Sequence, residues 1–69
     1  MNKFSLRLKE LRTAKSCSQS ALARQLNVDQ RTISSWENNL REPDFDMLIK
    51  IAEFFDISTD YLLGYKEII

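Results

Sequence analysis

Residues 19–38 read QSALARQLNVDQRTISSWEN, and this stretch decides the fold. Ser18 stands just before it with a hydroxyl suited to accept a bond from a free amide of a first helical turn, which predicts a helix from Gln19 to Leu26. Leu22, Ala23 and Leu26 share one face of that helix. Asn27 follows the last apolar residue, and asparagine is the usual substitute for glycine in the left-handed conformation that ends a helix. Val28 then plugs the core across the turn, and Asp29 caps a further helix from Gln30 to about Asn38. Its only large apolar residues, Ile33 and Trp36, stand at i and i+3, which leaves Gln30, Arg31, Thr32, Ser34 and Ser35 as a short polar face. Small Ala23 lets the two helices cross closely, so the segment forms a tight helical corner.

Working outward, Phe4, Leu8 and Leu11 fall on one face of a first helix that runs to about Lys15, with Leu6 off that face. Asn39 to Pro43 reads as the longest loop, because Pro43 disfavours helix at Glu42. Asp44 caps a fourth helix in which Phe45, Leu48, Ile51, Ala52 and Phe55 form the widest apolar stripe of the chain, all expected to face the core. Ser58 and Asp60 open a short fifth helix carrying Tyr61, Leu62 and Leu63, and Gly64 stops it. With one glycine and one proline there is little to punctuate hairpins, so the fold class is all-α with five helices. Residues 1–64 are expected to form one domain and residues 65–69 a short C-terminal tail.

The composition narrows the function by elimination. There is no histidine and a single cysteine, Cys17, so neither an internal disulfide nor a tetrahedral zinc site is expected. No Gly-rich phosphate loop and no nucleophile with a base at readable spacing exist, which argues against an enzyme and against a cofactor. No uninterrupted apolar run exceeds three residues, so a membrane span and a signal peptide are not expected and a cytoplasmic location is. Net charge is zero, yet the charges are unevenly placed. Residues 1–41 hold eight basic side chains against three acidic ones, a surplus of +5, and residues 42–69 hold two against seven, a deficit of −5. That split predicts an anion-facing first half and an acidic remainder turned away from it.

Gln19, Leu22, Ala23, Leu26, Val28, Ile33, Trp36, Glu37 and Asn38, followed by EPDFDMLIKIAEFF and ISTDYLLG, resemble the phage repressor and Cro type of helix-turn-helix domain, also called XRE-type. The resemblance covers about Phe4 to Gly64 and implies a five-helix fold of the lambda-repressor-like type. It implies a regulator of transcription, a repressor acting as a dimer on a two-fold symmetric operator in double-stranded DNA, with no small-molecule ligand. Carried over by position, it makes Gln30, Arg31, Thr32 and Ser35 base contacts in the major groove, and their chemistry agrees, since Arg suits guanine, Gln suits adenine and hydroxyls suit either. Gln19, Ser34, Asn38 and Arg41 fall to phosphate contacts, a role that a helix N-terminus favours at Gln19. Arg12 and Glu37 match a structural ion pair between the first and third helices. Ser16, Asn27 and Asn39 depart from the family, which commonly has glycine there, and Cys17 takes a usually aliphatic site.

Assembly is read from the end of the chain. Tyr61, Leu63, Tyr65, Ile68 and Ile69 supply more apolar surface than a small core needs, so they are the expected contacts of a homodimer that is weak without DNA. The competing reading is an antitoxin or other regulator that uses the same fold to hold a protein partner.

Overall fold

Each helix of this protein begins and ends where short-range hydrogen bonding dictates, as a computed structural model describing residues 2–69 shows. Among those residues the chain forms five helices and no strand: α1 (Phe4–Ala14), α2 (Gln19–Leu26), α3 (Gln30–Glu37), α4 (Phe45–Phe55) and α5 (Thr59–Leu63). Four of the starts carry the expected side-chain caps. Ser18, Asp29, Asp44 and Ser58 accept from the amides of Ala21, Arg31, Met47 and Tyr61 at 2.8–3.0 Å. At α1 the Asn2 side chain accepts from the amide of Phe4 instead, at 3.0 Å. The third helix stops one residue earlier than the sequence predicts, with Asn38 as its C-terminal boundary.

All five helices close the same way. One residue past the end turns left-handed, and the amide after it reaches back five residues: Cys17 to Arg12, Val28 to Ala23, Leu40 to Ser35, Ile57 to Ala52 and Tyr65 to Asp60, at 2.9–3.0 Å. The left-handed positions are Ser16, Asn27, Asn39, Asp56 and Gly64. Three of them, Ser16, Asn27 and Asn39, are the positions where the sequence departs from the family's usual glycine. Only at Gly64 is the side chain absent, and a Cβ there would come within 2.7 Å of the Lys3 side chain.

The core gathers Phe4 and Leu8 of α1, Leu22, Ala23 and Leu26 of α2, Ile33 and Trp36 of α3, Ile51, Ala52 and Phe55 of α4, and Leu62 of α5. Phe4 meets Trp36 edge to face with ring centroids 6.3 Å apart, which ties α1 to α3. Leu11, Cys17, Val28 and Leu48 are half-buried around this centre, as the patterning predicts. Phe45 corrects the reading of α4: it is 84% exposed. The stripe of α4 is longer than the small core it covers, so its first turn projects past the last packed layer and Phe45 is left in solvent. No helix among the described residues is long and apolar enough to cross a membrane.

One buried charge was not legible as such. Arg7 is 7% exposed, its guanidinium 4.0 Å from the centroid of the Tyr61 ring. It donates to the Tyr61 carbonyl at 2.7 Å and pairs with Glu67 of the tail, which Lys3 also holds at 3.3 Å. The hydrogen bond from Arg7 holds the Glu67 carboxyl below its ordinary pKa, with Lys3 adding to the effect. The tail therefore folds back toward α1.

Asp56 combines two unfavourable features, a left-handed backbone and a negative charge at the C-terminal end of α4. Asp56→Gly is expected to raise stability by about 1 kcal/mol, read as a higher urea midpoint at unchanged m-value. A lower midpoint would show that the Asp56 side chain contributes something this geometry does not hold.

Candidate nucleic-acid interface

The site is assembled around a buried ion pair. Arg12, in the last turn of α1, donates through Nε to Glu37 Oε2 at 2.6 Å and through Nη2 to Glu37 Oε1 at 3.0 Å. Its remaining nitrogen donates to the Cys17 carbonyl at 2.8 Å. The two side chains are only 12% and 3% exposed, so this is the bidentate, desolvated pair that the sequence reading places between α1 and α3. The Glu37 hydrogen bond raises the Arg12 pKa further above its ordinary value, against the opposing effect of burial. Glu37 closes α3, where a carboxylate is disfavoured by the helix dipole, and Arg12 offsets that charge.

From Glu37 the hydrogen bonds continue outward. The Gln19 amide donates to Glu37 Oε1 at 3.1 Å, and its carbonyl accepts from the Gln30 amide at 3.0 Å. Because Glu37 is an acceptor only, the orientation of the Gln19 amide is fixed, and with it which atom meets Gln30. The start of α2 and both ends of α3 thus hang on one side-chain chain, running from buried Arg12 to exposed Gln30. Sequence reasoning names all four residues but misses the bond between the two glutamines, for which spacing carries no signal.

The outer face of α3 is polar and carries one cation. The Arg31 side chain is 95% exposed and meets only Asp29, at 3.9 Å. Arg31, Thr32 and Ser35 border an open groove of about 510 Å3, with Arg41 on its opposite wall. Leu40 and Arg41 both direct their amides at the Ser35 carbonyl, at 2.9 and 3.4 Å, which sets the course of the loop past α3. At the far end of the helix the Asn38 amide donates to Ser34 Oγ at 3.2 Å. The eight residues expected to meet DNA therefore fall into three neighbouring groups along α3: Gln19 with Gln30, Arg31 with Thr32, Ser35 and Arg41, and Ser34 with Asn38.

Two sequence expectations need adjustment. The basic first half is not one free cationic surface, because Lys3 and Arg7 are neutralised by Glu67 and Arg12 by Glu37. Of the five residues expected to form a dimer contact, Tyr61 is half-buried under Arg7 and Leu63 is half-buried against the core, while Tyr65, Ile68 and Ile69 are exposed.

Comparison with known proteins agrees with this geometry. The helix-turn-helix family profile matches residues 8–62. The HTH-type transcriptional regulator ImmR of Bacillus subtilis is 40% identical over 62 residues, covering 90% of this chain and 49% of ImmR. The HTH-type transcriptional activator BcrR of Enterococcus faecalis is 39% identical over 66 residues, 96% of this chain and 32% of BcrR. The chain thus spans a third to a half of these relatives. Among solved structures, a transcriptional regulator from Listeria innocua superposes with a TM-score of 0.90 at 29% identity, covering all of this chain and 64% of the other. The restriction-modification controller protein C.AhdI from Aeromonas hydrophila superposes with a TM-score of 0.78 at 37% identity, covering 87% and 91%.

The ion pair has a measurable signature. Glu37→Leu strands the Arg12 guanidinium in a buried site and is expected to cost about 3–5 kcal/mol of stability in urea unfolding. Adding Arg12→Met should recover much of that loss, since the uncompensated charge is then gone. If the double variant is as unstable as the single one, the cost lies in packing and not in the stranded charge.

Proposed function

The chain belongs to the helix-turn-helix family of transcriptional regulators, in its XRE-type branch, and on that premise we propose that it binds a specific operator in duplex DNA, as a dimer that represses transcription. The observation that carries this reading is the outer face of α3, where one unencumbered guanidinium at Arg31 stands among amide and hydroxyl groups with Arg41 across the groove. Solvated helix faces are commonly rich in Lys and Glu; this one offers the groups that read base edges.

In this reading α3 lies in the major groove. Arg31 donates bidentately to a guanine and Gln30 addresses an adenine, while Thr32 and Ser35 complete the base contacts. Gln30 meets the groove already held by Gln19, so little side-chain freedom is lost on binding. The second amide hydrogen of Gln19, not used by Glu37, is available to a phosphate, as are Ser34, Asn38 and Arg41. Two copies would place their recognition helices about 34 Å apart, one turn of duplex, through contacts of α5 and the tail.

Selection on randomised duplexes tests the assignment of contacts. Arg31→Ala should relax choice at one base-pair position of each half-site, at about 1–3 kcal/mol, whereas Arg41→Ala should weaken all sequences alike. An Arg31 variant that keeps the parent's base preference with merely lower affinity would reassign Arg31 to the phosphates.

Salt dependence tests the partner. On the selected duplex, log affinity should fall with log salt at about −0.9 for each phosphate neutralised. A slope near zero would instead favour the antitoxin-like reading, in which the same fold holds a protein.

A further inference from the structure

Beside the start of α4 lies a second groove of about 190 Å3, walled by Phe4, Pro43, Phe45, Leu48 and Leu63, with Glu42 on its rim. Phe45, the wall that the core does not cover, is 84% exposed. The same chain carries apolar side chains without cover in its tail, Ile68 at 84% and Ile69 at 65%. Their position follows from the bonds before them. The amides of Tyr65 and Lys66 both donate to the Asp60 carbonyl, at 2.9 and 3.2 Å, and Glu67 is held by Arg7 and Lys3. These ties turn the tail toward α1 and leave the two isoleucines in solvent instead of in the groove of their own chain.

We propose that the apolar groove beside α4 receives Ile68 and Ile69 of a second copy, each copy giving its tail to the other. The inference rests on the dimer reading and gives that dimer a site. At roughly 30 Å3 per water the groove displaces about six waters, more than the four carbons of one isoleucine side chain occupy. Charge agrees: Glu42 and exposed Asp46 lie at the groove, and the tail brings Lys66, whose nearest acid, Asp60, is 3.9 Å away. Because each copy has both groove and tail, the exchange is reciprocal and closes as a two-fold pair. Two such insertions fall short of the roughly 1,200 Å2 of a stable interface, so the free pair is weak and DNA strengthens it.

Cross-linking separates the outcomes. In a Cys17→Ser background, chains carrying Glu42→Cys are mixed with chains carrying Ile69→Cys under oxidised glutathione, with and without the duplex recovered by selection. The expected result is a disulfide joining unlike chains, absent when exposed Leu6→Cys replaces Glu42→Cys. Ile69→Asp should weaken self-association about tenfold or more in analytical centrifugation, and Ile69→Leu should restore it. A dimer in centrifugation that gives no unlike-chain disulfide above the Leu6 control overturns the groove assignment and leaves the dimer reading standing. A chain bearing both cysteines that closes on itself overturns it too, because the groove then takes its own tail. A monomer on the selected duplex removes both readings together.

Discussion

The Arg12–Glu37 pair is the constraint on which the rest of the arrangement depends. It joins the last turn of α1 to the last turn of α3, and it does so in a region nearly closed to water. There a carboxylate alone would be costly, so the geometry tolerates neither partner without the other. Every remaining polar atom is accounted for: the third guanidinium nitrogen takes the Cys17 carbonyl, and Glu37 takes the Gln19 amide. Among the described residues no buried side-chain nitrogen or oxygen lacks a partner. Satisfying this pair therefore fixes the approach of α2 to α3, and the crossing of those two helices is what presents the outer face of α3.

The second constraint is backbone conformation at the five helix exits. Chains usually assign such left-handed positions to glycine, and this chain has one glycine for five of them. Asparagine bears the conformation at small cost, serine and aspartate at more. What offsets the cost is the residue that follows. Cys17, Val28 and Ile57 each drop from a left-handed residue onto the core, so the strained turn delivers an apolar contact. At Leu40 and Tyr65 the same turn delivers an exposed side chain, and there the gain lies in closing the helix and directing the chain onward.

The legible and illegible parts of the sequence divide along physical lines. Caps and apolar faces are local, and Ser18, Asp29, Asp44 and Ser58 act as their position predicts. The Arg12–Glu37 pair and the α3 face came from resemblance, since no spacing rule connects residues on separate helices. Phe45 failed because periodicity says which way a side chain points and nothing about where the core ends. Arg7 failed for the opposite reason. It stands three residues from Phe4, on the inward side of α1, but a cation is not read as core, and its partner Glu67 lies sixty residues away. Asp56 left no signal as a helix terminator, because aspartate is more readily read as a starting cap.

Zero net charge and an anion-facing surface are compatible once pairing is resolved residue by residue. Three basic side chains of the first half are neutralised within the fold, two by the tail and one by Glu37, and none of these belongs to the outer face of α3. On that face Arg31 has only a distant acid, and Arg41 borders the same groove. The local field therefore follows from which cations lack close partners, a property of the folded arrangement and not of the sum over the sequence. With few free cations beside hydroxyls and amides, such a surface gains less from the phosphate backbone than a lysine-rich one would. Binding by this surface must then draw more of its energy from the fit to bases, which makes it weak on arbitrary duplex and selective on the right one.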